Sequence, residues 1–277
     1  MKKLIIADPG VGFELQITET EFTNEVMSMA ISVKLGPSAT NYHHTTNIGI
    51  GVLNGKMDLS EPYVFVVPFV DPNFNRETGA YSFEINVSLY SNPDNAGEHH
   101  LVSIPISGSH AVPEVDRQKQ FSCKLNGQSP TFINPLPTPL PELTGNNVAY
   151  YDILTHQLGN VFRVQFPAST KDKVNPVGIR SYLNPPAVGE GSETNMGLAI
   201  NNTEANHGFD MTVETGFAFL PYPRTIGQAL SIDNTRFAVN AYYANPENGI
   251  HFPLTNATYN SANPLTASTG ELSLELS

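Results

Sequence analysis

The chain has 277 residues and a formal net charge of −12, from 26 acidic against 14 basic side chains with no basic run, which excludes a phosphate-tracking nucleic-acid surface. Charged residues make up only 14% of the sequence, so surface polarity must come from Asn, Ser and Thr, as suits a protein packed against its own copies or against sugars. A single cysteine, Cys123, leaves no intramolecular disulfide and no thiolate cage for zinc.

The opening Met1-Lys2-Lys3 and the apolar run Leu4 to Ala7 stop at Asp8-Pro9, too short for the core of a signal peptide. The expectation is a chain made in the cytoplasm without a leader, and no stretch is apolar and long enough for membrane insertion as a helix. Apolar and polar residues then alternate over 13–18, 27–35 and 83–89, the period of half-buried strands. Turn clusters rich in Asn, Gly and Pro fall at 73–79 and 92–97. Ser107 and His110 share a predicted loop, and 113–120 predicts a short helix with Pro113 in its first turn. Five prolines between Pro130 and Pro141 define a stiff, extended linker. Beyond it, Val148, Tyr151 and Leu154 sit at helical spacing, leaving 147–156 open between helix and strand. Alternation resumes over 161–166, 209–213, 237–242 and 272–276, and 225–230 predicts a second short helix.

The second half echoes the first. Thr46-Asn47-Ile48-Gly49 returns as Thr194-Asn195-Met196-Gly197, Pro68-Phe69 as Pro221-Tyr222, and Phe83-Glu84-Ile85-Asn86 as Phe237-Ala238-Val239-Asn240. A repeat this long is a whole domain, not a solenoid unit. The predicted fold is all-β, a tandem duplication of a β-sandwich or jelly-roll domain with two copies side by side: copy 1 over 1–128, a proline-rich linker over 129–144 and copy 2 over 145–277.

Chemistry-bearing signals are sparse. The repeated turn Asn92-Pro93-Asp94-Asn95 and Asn245-Pro246-Glu247-Asn248 gathers oxygen donors, so Asn92, Asp94, Asn95, Asn245, Glu247 and Asn248 are the candidate binding residues. The same residue types also build hairpin corners, and the structural reading carries more weight, with one carboxylate per loop. The pairs His43-His44 and His99-His100 point to opposite faces of a strand and cannot chelate one ion as a pair. No nucleophile elbow, phosphate-cradling loop or metalloprotease helix occurs, so the expectation is a protein that is not an enzyme, with no catalytic residue, no metal and no cofactor.

Two stiffly linked β-sandwich copies of this size, with a low-charge Asn/Thr/Pro-rich surface, resemble the smallest double-jelly-roll major capsid proteins of icosahedral viruses that infect bacteria. The resemblance implies a structural, self-assembling subunit, a homotrimer or larger assembly in which three chains form a pseudo-hexagonal tile of a virion. The alternative is a lectin, adhesin or fibre subunit whose repeated loops contact a glycan; the absence of Trp, the favoured sugar-stacking platform, weighs against it.

Overall fold

A computed structural model describes residues 3–7, 10–18, 24–36, 44–53, 55–68, 80–93, 99–111, 121–129, 150–165, 174–183, 192–200, 216–227, 235–244, 251–258 and 268–276. Among them the chain is nearly all strand, arranged in antiparallel sheets, with no α-helix. The first half contributes β1 (Lys3–Ala7), β2 (Gly10–Leu15), β3 (Ser28–Gly36), β4 (His44–Gly51), β5 (Tyr63–Pro68), β6 (Ala80–Tyr90), β7 (His100–Ala111) and β8 (Phe121–Leu125). The second contributes β9 (Tyr150–His156), β10 (Gly159–Gln165), β11 (Val174–Leu183), β12 (Ser192–Ile200), β13 (Gly216–Pro221), β14 (Thr235–Ala244), β15 (His251–Thr258) and β16 (Leu272–Leu276).

The alternation read from the sequence is visible in burial. In β3, Met29, Ile31 and Val33 are buried while Ala30, Ser32 and Lys34 are half-buried; in β6, Ile85, Val87 and Leu89 repeat the pattern. The ambiguous segment at 147–156 ends in a strand, β9, because it closes a tight hairpin with β10 through Gln157-Leu158. Ser107 to His110 lie within strand β7 and not in the predicted loop. Thr225 makes a bridge with Met57 and Ile226-Gly227 form a bend, in place of the predicted helical start. The predicted helix at 113–120, the strand at 209–213 and nearly all of the proline-rich linker lie outside the described residues.

Among the described residues three sheets are formed. A six-stranded sheet runs β1-β2-β5-β13-β10-β9, an eight-stranded sheet runs β15-β14-β11-β12-β4-β3-β6-β7, and β8 pairs with β16 in a two-stranded ribbon. Each order reads the same from either end when the first eight strands are exchanged for the last eight. The halves meet by hydrogen bonding within every sheet, at β5 and β13, β4 and β12, β8 and β16. Residues holding the same place in the sequence repeat face one another there. Ile48 pairs with Met196, and Val66 pairs with Phe219, each two residues before its repeated proline.

From the first of these pairs an apolar row crosses the whole eight-stranded sheet: Ile104, Val87, Ile31 and Ile48 on one side, then Met196, Ile179, Val239 and Ala257. This register makes Val87 the counterpart of Val239, whereas the sequence match had set Ile85 against it. The difference is two residues, which leaves the inward face unchanged.

Lettered A to G, the first seven strands of each half lie as A-B-E in one sheet and D-C-F-G in the other, the order of an immunoglobulin-like sandwich with its fourth strand on the C-F-G side. A jelly roll sends most consecutive strands into opposite sheets, whereas β1 and β2, β3 and β4, and β6 and β7 are hairpin neighbours within one sheet. The expectation of an all-β chain is met among the described residues, in antiparallel sheets whose order is compatible with a β-sandwich.

The centre of the six-stranded sheet is covered on both faces. On its inner face, opposite the eight-stranded sheet, Phe13 and Phe65 are cross-strand partners stacked with ring centroids 5.1 Å apart, and Phe162 is fully buried in the neighbouring half of the sheet. Across the gap, Asn160 of β10 donates to Ser181 Oγ of β11, and Thr194 Oγ1 of β12 donates to the Pro221 carbonyl of β13. On its outer face Val66, Phe219, Val161 and Leu154 pack under Cys123, Leu272 and Leu274 of the ribbon. Lys34 and Glu84 pair at 2.8 Å on the solvent face of the large sheet, a contact worth at most about 1 kcal/mol at this exposure.

Candidate interaction site

Of the six residues expected to bind, the structure describes Asn92 alone. It is buried, and its carbonyl accepts a hydrogen bond from Ser28 Oγ at 2.5 Å. Ser91 N donates to the His99 carbonyl at 3.0 Å, closing the neck of this connection, and a Cβ on Gly51 would stand 2.7 Å from the Pro93 carbonyl. The corner is thus pinned by backbone contacts to β3 and β4. Asp94, Asn95, Asn245, Glu247 and Asn248 lie outside the described residues. His99 and His100 are exposed, with His100 edge-on to Tyr90 and hydrogen bonded to Ser103. Among the described residues no three His, Cys, Asp or Glu side chains come together as a metal cage would require.

What the folded chain does assemble is a groove of about 510 Å³ on the outer side of the six-stranded sheet, where its centre, the ribbon and the β9–β10 turn meet. Its walls are Tyr63 and Val64 at the start of β5, Phe219 in β13, Tyr222 and Arg224 beyond it, and Leu158 in the turn, with Leu272 and Leu274 closing the ribbon side. Pro221 and Pro223 hold the segment after β13 extended, since each also biases the residue before it. Tyr222 is thereby turned inward: its N–H donates to the Leu158 carbonyl at 2.9 Å, and its hydroxyl donates to Asn160 Oδ1 at 2.7 Å. Asn160 passes the chain on to Ser181, so one end of the groove is tied through to the other sheet.

Arg224 is the polar element. Its guanidinium carbon lies 4.0 Å from the centroid of the Tyr63 ring, Nη1 donates to the Pro62 carbonyl at 3.1 Å, and Nη2 donates to the Glu61 carbonyl. Its backbone N–H donates to the Tyr63 hydroxyl at 3.0 Å, which in turn reaches the Asp58 carbonyl at 3.2 Å. The Asp58 N–H donates to the Arg224 carbonyl at 2.8 Å. Burial pushes the Tyr63 phenol above its ordinary range, against the pull of Arg224. The Ser60 hydroxyl and N–H, at 2.6 and 2.9 Å, hold the Asp58 carboxylate below its own range.

Arg224 thus clamps one half of the chain to the other, grasping carbonyls 162 and 163 residues away. Replacing it with Ala should destabilise the protein by about 2–3 kcal/mol, less than the full sum of a stacked cation and two charge-assisted hydrogen bonds because Arg224 is only half-buried. Arg224→Lys should recover less than half, because an ammonium cannot fork to two carbonyls while stacking. Urea unfolding of the three proteins checks this, and a loss under about 0.5 kcal/mol in the Ala variant would remove the clamp from the account.

Sequence reasoning did not find Tyr63, Arg224, Tyr222 or Asn160. Repeated Pro68-Phe69 and Pro221-Tyr222 marked the end of β13, but no spacing along the chain links Arg224 to Glu61. No protein-family model and no curated protein matches this chain. Chemically, the groove offers an apolar, aromatic and proline-rich wall with the Arg224 guanidinium stacked at one end.

Proposed function

We propose that the chain is a structural, self-assembling subunit, the role implied by its resemblance to viral shell proteins, built as a tandem duplication of one sandwich. The observation that carries this reading is the joining of the halves through all three sheets. A body whose halves share continuous sheets has no hinge at their boundary, and a building block that must repeat without error needs that stiffness. Large apolar residues left exposed, Leu158, Val64, Ile226 and Leu53, supply material for contacts between subunits. The strand order favours a sandwich over a jelly roll, so the proposal rests on this rigid body and on the charge-poor sequence rather than on a jelly-roll core.

Light scattering at micromolar concentration over a range of salt should give the mass of a trimer or a larger assembly. A monomer under every condition would overturn the proposal. A second reading, a glycan-binding adhesin or fibre subunit, is favoured by the aromatic groove at Tyr63 and Tyr222 and by the immunoglobulin-like order, a plan common among cell-surface modules. Binding to a glycan array that is lost on Tyr63→Ala, in a protein that stays monomeric, would put that reading first.

A further inference from the structure

The ribbon of β8 and β16 is latched to the six-stranded sheet through a buried histidine. His156, the last residue of β9, has no exposed surface. Its Nδ1 lies 3.1 Å from the Leu158 N–H and must accept from it, since a backbone amide can only donate. The ring proton therefore sits on Nε2, which donates at 3.0 Å to the carbonyl of Gly270, on the approach to β16. Beside it, Gln157 N donates to the Ser268 carbonyl at 3.1 Å, and His156 and Ser268 form a bridge. One neutral tautomer thus satisfies a turn on one side and the ribbon's entry on the other.

We propose that His156 is an acid-sensitive latch, whose protonation forces an N–H against the Leu158 N–H, loosens the β9–β10 turn and frees the ribbon from the six-stranded sheet. What the ribbon uncovers is apolar: Val66, Phe219, Val161 and Leu154, at the line where the two halves meet. Among the described residues, β10 pairs with His156 through Gly159, the turn contributes Gln157 and Leu158, and the β16 approach contributes Ser268, Gly270 and Glu271. Of these Glu271 alone ionises, and it is exposed. Burial lowers the proton affinity of His156 below the ordinary value of 6.5, and the Gly270 carbonyl opposes it. The sign follows: an open ribbon takes up the proton first. The closed state is fully favoured above pH 6.5 and loses ground as pH falls through that value toward the lower one of the closed state.

Cys123, the only thiol of the chain, reports directly, because it lies buried on the ribbon against the sheet. Its reaction rate with 4,4′-dithiodipyridine is measured from pH 7.5 to 5.0 and divided by the rate of the urea-unfolded chain at the same pH, which cancels thiol ionisation. The normalised rate should rise by up to about tenfold per unit below pH 6.5, and His156→Gln should be flat over the same range. A flat wild-type profile, or an unchanged slope in His156→Gln, overturns the latch. Should that variant not fold, nitrogen-15 imidazole spectra of the wild type decide. The slowly exchanging Nε2–H tautomer must protonate in step with Cys123 exposure, and exposure with the ring still neutral, or protonation without exposure, overturns it equally.

Discussion

Phe65→Ala should be the most destabilising single truncation described here, at about 3–5 kcal/mol. Phe65 is fully buried in β5, stacked on Phe13 at 5.1 Å and on Tyr63 at 6.4 Å, at the middle of the inner face of the six-stranded sheet. The loss combines transfer of the ring to water with a cavity that β-sheet backbones on both sides cannot collapse to fill. Against a total stability of roughly 5–15 kcal/mol, this lowers the unfolding midpoint by about 10 °C. Val64, one residue away, points to the other face and is partly exposed, so Val64→Ala should cost less than about 1 kcal/mol. Equal midpoints for the two variants in a thermal melt would contradict the face assignment.

Gly159→Val is the second large effect, expected at about 3 kcal/mol or more. Gly159 closes the β9–β10 hairpin opposite His156 and pairs on its other side with Pro221. A Cβ there would stand 2.7 Å from Pro221 Cα and nearer still to the Leu220 carbonyl, both backbone atoms of β13 that have no rotamer by which to move aside. Relief requires prising β10 from β13, which also disturbs Tyr222 and the groove. Gly127→Ala, in the turn after β8, meets nothing within 4 Å and has a φ of +73°, so its cost is the smaller backbone strain of about 1 kcal/mol. Urea midpoints that rank these two in the reverse order would refute the steric account.

The strands most legible in the sequence were those of the large sheet with one wet face, although 161–166 in β10 also alternates within the covered sheet. Residues 27–35 and 83–89 alternate because β3 and β6 present Ser, Lys, Glu and Asn outward, and the structure places both within two or three residues of the reading. Tyr63 to Pro68 and Gly216 to Pro221 gave no alternation, since the sheet they form has the ribbon on one side and the large sheet on the other. Those two silent segments are β5 and β13, which carry both the centre of the six-stranded sheet and the groove. The repeat was visible because Thr46 to Gly49 and Thr194 to Gly197 run along the strands that join the halves. That the halves would share sheets was not visible, because hydrogen bonding between β4 and β12 leaves no mark in either sequence alone. The groove was illegible for a related reason: it gathers single residues from four distant segments, and no local pattern encodes such a meeting.

The pairing of Val66 with Phe219 carries a consequence for symmetry itself. In a homodimer with this geometry, the residue on the twofold axis would face its own copy, so Val66 would meet Val66 or Phe219 would meet Phe219. The first pairing leaves a void beneath the ribbon and the second crowds two rings into one site. A single chain holding both halves is released from that identity and can set a small side chain against a large one, as it also does with Cys123 against Leu274. Covalent continuity thus gives the axis a packing solution that exact twofold symmetry forbids, and it makes each half a poor partner for a second copy of itself.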